Sequence, residues 1–292
     1  MNGRRQFFSM LMAAVPWSVP LIAGAEGAVP NKDQYHLFFP TPVALMRDLS
    51  TDRPDKTESP FTVDAGHFQI EADLVSYVHD RDRSSDGDVR TDAWSIAPVN
   101  LKVGLLNDLD FQLIVETYNR VRIEDRITGS ETTRSGFGDL TLRLKKNFWG
   151  NDGGATAFGV MPFLKMPASR AGLGNRSVEG GVILPWAVSL PSGWDMGGMT
   201  EVDCQQAGEG DGHHASFINL ITFSHAIVGR LGGYVEFFSE TSTEQNVPWV
   251  GTVDFGLTYK LTPGFQLDAG VNVGVTKSAD DVNPFVGFSR RF

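Results

Sequence analysis

From Gly66 to the last residue the chain keeps returning to one pattern, a polar residue alternating with an apolar one. A period of two sends successive side chains to opposite faces of an extended strand, so each such segment has one wet face and one greasy face. Between His67 and Leu74 the odd positions are His67, Gln69, Glu71 and Asp73, and the even ones Phe68, Ile70, Ala72 and Leu74. The stretch from Asp110 to Ile123 sets Phe111, Leu113, Val115 and Val121 against Asp110, Gln112, Glu116, Arg120 and Arg122. Leu140, Leu142 and Leu144 alternate with Thr141, Arg143 and Lys145; Val253, Phe255 and Leu257 with Asp254 and Gly256; Phe265, Leu267 and Ala269 with Gln266, Asp268 and Gly270. Weaker versions fill the gaps at 91–105, 155–166, 177–190, 194–203, 215–226, 231–240 and 283–292. The sum is about twelve strands, most near the 9–11 residues that a tilted strand needs to cross a bilayer.

The links between these strands are sorted by length. Short ones fall at 106–109, 148–153, 191–193, 227–230 and 262–264; longer polar ones fall between them at 78–90, 124–135, 167–176, 205–214, 241–247 and 277–282. Outer-membrane barrels have short periplasmic turns and longer external loops, with an even strand number that returns both ends to the periplasm. A soluble sandwich has no reason to sort its loops in this way. The expected fold is therefore all-β, a transmembrane antiparallel up-and-down β-barrel of about twelve strands.

The ends of the chain agree with that fold. Arg4 and Arg5, the mostly apolar run 7–22 and then Ala23-Gly24-Ala25 have the form of a secretory signal peptide, residues 1–25. Pro16 and Pro20 interrupt a run already too short for a spanning helix. Arg4-Arg5 before Phe7-Phe8 also looks like a twin-arginine export signal, but a membrane barrel has to cross unfolded, so an ordinary basic n-region is expected. At the other end Phe292 closes the chain, preceded at two-residue steps by Arg290, Phe288 and Val286. Phe288 and Phe292 have the form of a terminal signal read by a barrel assembly machinery, although Arg290 sits where an apolar residue is commoner.

Composition excludes other classes. The formal net charge of −10 argues against nucleic acid as a partner. Cys204 stands alone, so no intramolecular disulfide can hold the fold. The slightly negative mean hydropathy is what alternating lipid-facing and lumen-facing residues average to.

Between signal and barrel, residues 26–65 form a polar leader broken by Pro54 and Pro60, which cannot be a long helix or a central strand. The stretch that joins the leader to the first strand, DRPDKTESPFTVDAGHFQIE at Asp52 to Glu71, together with GFGDLTLRLKKNFW at Gly136 to Trp149, PFLKMPAS at Pro162 to Ser169 and YVEFF at Tyr234 to Phe238, resembles the transporter family associated with meta-cleavage pathways of phenol degradation. The resemblance covers residues 45–292. It implies a Gram-negative outer-membrane barrel that admits aromatic or other hydrophobic small molecules, in the cell outer membrane and in contact with its lipid.

Turning the alternating polar positions inward gives a lumen with charge of both signs. Arg120, Arg122, Arg143, Lys145 and Lys165 come from neighbouring strands, with Glu116 among them. Glu201, Asp203, Glu236, Asp254 and Asp268 come from the far wall, with Glu71 and Asp73 near the seam. Such opposed charges would either orient polar solutes or pair with one another and fill the bore. The leader is expected in the periplasmic mouth or lumen, with Asp52, Arg53, Asp55 and Glu58 available to wall charges. His213-His214 with Asp211 and Glu209 has too little convergence for a metal site. Ser224 and His225 are adjacent and so on opposite faces, which speaks against the alternative of an outer-membrane lipase. No catalytic residue, metal or cofactor is expected, and the remaining alternatives are a structural barrel with a sealed lumen and a soluble periplasmic β protein.

Overall fold

The structure is a computed structural model that describes residues 31–83, 87–169, 172–208 and 212–292. The expected signal segment lies outside the described residues, as do Glu209 and Asp211. The strands are β1 (Phe68–Arg83), β2 (Asp88–Ile96), β3 (Val99–Leu106), β4 (Leu109–Val115), β5 (Tyr118–Asp125), β6 (Ser130–Gly136), β7 (Leu140–Trp149), β8 (Thr156–Met166), β9 (Glu179–Ser189), β10 (Trp194–Gln206), β11 (His213–Val228), β12 (Leu231–Ser242), β13 (Val250–Thr262), β14 (Phe265–Gly274) and β15 (Val282–Arg291). They form one antiparallel sheet that closes where β1 pairs with β15.

Six of these strands are halves of three longer staves. Ala72 faces Val99 on one side of the break between β2 and β3, and Val75 faces Ile96 on the other, in unchanged register. The same continuity joins β4 to β5, where Val99 faces Val115 and Ile96 faces Tyr118, and β6 to β7, where Val115 faces Leu140 and Asn119 faces Gly136. The wall thus has twelve staves, as the alternation predicts.

Burial is inverted relative to a soluble domain. The largest fully buried side chains include Lys145, Gln112, Glu236, Asp110 and Asp254, whereas Leu101, Leu144, Leu164, Phe217, Val235, Phe255, Leu257 and Leu267 are exposed. An apolar belt around a polar interior is stable where the belt meets lipid, because every backbone group is already paired within the closed sheet. Aromatic residues Trp149, Trp194, Tyr259 and Phe292 lie exposed at strand ends on the short-turn side, where amphipathic rings suit the membrane interface.

Two expectations about this wall are corrected. The links at 78–90 and 124–135 are mostly strand: β1 runs to Arg83 and β2 begins at Asp88, and β5 runs to Asp125 with β6 beginning at Ser130. These segments are polar on both faces, which reads as loop, but cross-strand pairs such as Arg81–Asp88 at 2.6 Å and Arg122–Glu131 at 2.9 Å hold them as a four-stranded extension. Within that extension the faces are reversed. β1 bulges between Asp73 and Val75, so that Val75 comes to face Val286 on the outward row of β15. Tyr77, two residues on, stacks against Trp94 with ring centroids 4.4 Å apart, and Trp94 faces Arg120. Ala97, at φ 53°, and the break at residues 116–117 carry the same reversal into the next two staves. Arg120 and Arg122 therefore do not line the bore. They share the outward face with Trp94 and Asp92, and Arg122 pairs with Glu124 and Glu131.

Candidate functional site

Proline and polar residues keep residues 31–67 out of the sheet, and the segment enters the barrel from the end that carries both the short turns and the Phe68–Phe292 pairing. Its attachment begins at the rim. The Arg47 guanidinium donates to Asn107 and Asp152, and Lys32 donates to Asp152 at 2.6 Å. Asp64, almost completely buried, receives Arg291 at 3.2 Å and Arg47 at 3.4 Å. The Val63 amide donates to Asp110 on β4 at 3.0 Å, and Ala65 bridges to Gly104 on β3. Gly104 allows this approach because a Cβ there would meet the Val63 carbonyl oxygen at 2.6 Å.

Deeper in, the sequence Asp52 to Glu58 spans the bore with charges directed to both walls. Asp52 pairs with Lys145 at 2.7 Å and with Lys102, which also holds Glu71 at 2.5 Å. Glu58 pairs with Arg143 at 2.5 Å. Arg53 reaches the other way, to Asp268 at 2.6 Å and Asp73 at 2.7 Å, and Lys56 reaches Asp254 at 3.1 Å. Glu236 accepts from the Lys56 amide at 2.9 Å and from the Thr57 amide and hydroxyl at 2.8 and 2.5 Å. Basic wall strands β3 and β7 thus meet leader acids, and acidic strands β12 to β14 meet leader bases. Inside the bore, among the described residues, Lys102–Glu71 and Lys165–Glu116, the latter at 3.6 Å, pair within the wall itself. Most of the opposed wall charge is answered by the leader, an arrangement intermediate between an open charged bore and a wall that neutralises itself.

Of the residues singled out in the sequence, Glu71, Asp73, Arg143, Lys145, Glu236 and Asp254 converge on the leader charges Asp52, Arg53, Lys56 and Glu58. Glu116, Lys165 and Glu201 lie beyond the leader, around a cavity of about 310 Å³ on the side of the long links. A second cavity of about 420 Å³ opens on the short-turn side, between the leader and β9–β14. Phe288 and Phe292 lie at the closing edge. Phe292 exchanges backbone hydrogen bonds with Phe68, and Arg290 lies over its ring at 4.8 Å. The stacking lets an arginine occupy the outward row with its charge against a π face. His214 lies 3.6 Å from Glu244.

The sequence reading overlooked Lys102, Lys56 and the rim group Lys32, Arg47 and Asp64, and it placed Asp110 on the polar face without giving it a partner. Lys102 alternates with Leu101 and Val103 and could have been found by the same rule; the rim residues have no local signal, since their partners are far away in sequence.

An apolar strip crosses the far wall of the lumen. Met161, Ile183, Met199 and Leu220 form a buried cluster, with Phe163, Ile218 and Phe238 against it. The leader sits on this strip, the Glu58 amide approaching the Met199 sulfur at 3.3 Å and Lys56 lying 4.6 Å from the Phe238 ring centre.

Two leader carboxyls respond oppositely to this environment. Burial works against the ionised form of Asp52, but the Lys102 and Lys145 ammonium groups hold its carboxyl well below the usual range. Burial, reinforced by the neighbouring Glu236, pushes Asp55 well above it. The signs differ accordingly. A depressed acid stabilises docking above its free-state value and loses that contribution as the pH falls through the docked value. A raised acid weakens docking progressively as the pH climbs from its free-state value to the docked one. Docking of the leader is therefore expected to be firmest in mild acid. Asp55→Asn should flatten the decline in thermal midpoint of the refolded barrel between pH 5 and pH 8, and an unchanged profile would assign the decline to other groups.

A closed barrel that is greasy outside and charged within belongs to the outer-membrane class, since only closed sheets and helices satisfy their backbone in lipid. Residues 51–292 match the family described as "Putative MetA-pathway of phenol degradation", and the chain belongs to that family. It is similar in structure to the translocator domain of autotransporter NalP from Neisseria meningitidis, at 11% identity over 77% of this chain and 88% of that one, TM-score 0.48. It is also similar to the NanC porin, at 7% identity over 76% and 98%, TM-score 0.48, and to the P. putida toluene transporter TodX, at 10% identity over 77% and 89%, TM-score 0.41. No curated protein matches the chain.

Proposed function

We propose that this barrel is a passive outer-membrane channel for small aromatic or other hydrophobic solutes, narrowed by its own leader. The observation that carries the reading is the apolar strip from Phe163 to Phe238 inside an otherwise charged lumen. The strip is buried beneath the leader, so an aromatic solute meets it where the leader gives way, and there it desolvates at about 25 cal/mol for each Å² of apolar surface covered. The family description, with its reference to phenol degradation, supports the same solute class. Residues 1–25 direct export, 26–65 form the leader and 66–292 the barrel. The outward belt contacts outer-membrane lipid, and Phe288 and Phe292 serve as the edge read by the assembly machinery.

The reading includes no catalysis. His225 packs on Trp194, and its Nε2 lies 3.1 Å from the Ser192 carbonyl, so the imidazole is turned to the turn rather than to a serine nucleophile. Proteoliposomes carrying the refolded protein are expected to swell faster in phenol or benzyl alcohol than in a sugar at the same osmolarity, after correction for leakage through protein-free vesicles. Equal rates would remove the solute class, and no swelling with any solute would favour a sealed structural barrel.

A further inference from the structure

The leader crosses the bore as a strap anchored at both ends. On one side the Glu58 carboxylate holds Arg143 of β7 at 2.5 Å, and the Pro60 carbonyl accepts from Asn147 of the same strand at 2.9 Å. On the other side the Lys56 and Thr57 amides donate to Glu236 of β12, and Lys56 reaches Asp254 of β13. Between β7 and β12 the wall runs through β8, β9, β10 and β11. The strap is therefore a chord, and those four staves are the arc behind it.

Contacts differ on the two sides of the chord. Away from the arc, Asp52 and Arg53 fix the leader by ion pairs to β1, β3, β7 and β14. Toward the arc, among the described residues, no ion pair forms: the Glu58 amide approaches the Met199 sulfur, and Asp55 lies beside Thr222. The inward rows of the arc also share one order. On β10 the row runs from Gly197, on the cavity of about 420 Å³, through Met199 in the buried cluster, to Glu201 on the cavity of about 310 Å³. Ala187, Ile183 and Glu179 repeat that order on β9. A hollow thus lies at each end of the arc, and Met161, Ile183, Met199 and Leu220 close the way between them. Two of these four are methionine, an unbranched side chain that re-packs more readily than a branched one.

Passage on the ion-paired side would strip buried charges of their partners. Passage along the arc exchanges apolar contacts for apolar contacts. We propose that solutes pass behind the leader, between residues 57–59 and β8–β11, while both anchors hold, and that Met199 is the gate that selects apolar bodies there. This rests on the channel reading above and gives it a route.

Swelling of proteoliposomes in benzyl alcohol tests the route with one staple and two matched truncations. A Cβ placed at Gly197 would lie 3.6 Å from Thr57 Cγ2, within the reach of a disulfide. Thr57→Cys with Gly197→Cys, in a Cys204→Ser background, pins the strap to the arc, and one refolded sample is measured oxidised and then reduced. The oxidised form is expected to swell no faster than protein-free vesicles, and reduction to restore swelling. Met199→Ala is expected to raise the rate severalfold, whereas Gln112→Ala, a similarly buried truncation on β4 outside the arc, leaves it unchanged. If the leader has to leave as a whole, its anchors limit the rate and the two truncations act alike, which overturns the proposal. Equal swelling of oxidised and reduced protein overturns it too, and the truncations decide alone where the disulfide does not close. No swelling in any form would remove the channel reading and the route with it, whereas swelling indifferent to both the staple and Met199 would remove the route alone.

Discussion

Removing residues 31–59 is expected to raise the single-channel conductance of the barrel severalfold in planar bilayers. Twelve staves enclose a bore wider than the filled eight-stranded barrels, and the leader occupies it from the rim to the level of Glu236 and Asp254. The wall should survive the deletion. Lys102, Lys145 and the acids of β12 to β14 would face water that refills the lumen, and solvation replaces the lost partners. Unchanged conductance would mean that the path is limited elsewhere and that the leader is not a constriction.

Neutralising a single leader charge should be harsher on stability than removing the leader altogether. Asp52→Asn keeps the volume and leaves the chain seated, so water cannot enter. Lys145, 1% exposed, then loses its ionic partner, while Lys102 retains Glu71. Breaking a buried pair by removing one partner costs about 3–5 kcal/mol. The lower end is expected here because an asparagine oxygen still accepts a hydrogen bond. Equilibrium urea unfolding measures the change, and Lys145→Met added to Asp52→Asn should recover most of it. A loss below about 1 kcal/mol, the range of exposed pairs, would show that water already reaches this group.

The architecture was legible because membrane strands repeat one local rule. The contrast between Phe111, Leu113 and Val115 on one side and Asp110 and Gln112 on the other survives any tertiary context in which one face meets lipid. The same rule failed at Arg120 and Arg122, since alternation carries no phase across an interruption. The break at residues 116–117 exchanges inside for outside, although the partner register on either side is continuous. Acidic and basic hairpins at 78–90 and 124–135 were misread for a related reason: above the bilayer neither face has to be apolar, and strand and loop look alike. For the leader, the charges in DRPDKTE were visible, but Asp268 lies 215 residues from Arg53 and Glu236 lies 180 from Lys56. No local pattern encodes a pairing at that distance. Lys102 was within reach, as an inward lysine in a strand whose neighbours are leucine and valine.

One consequence concerns the seam where the first and last strands meet. Arg53 grips Asp73 on β1 and Asp268 on β14, one strand to either side of β15, while Asp64 takes Arg291 from β15 itself. His67 adds contacts to the carbonyls of Thr41 and Phe292. The leader is thus a hasp across the join where the first of the twelve staves meets the last. While it is shut, these side-chain bonds add to the backbone ladder between β1 and β15 and oppose any slip of one strand along the other. A seated leader therefore narrows the bore and braces the closure of the wall with the same few charges.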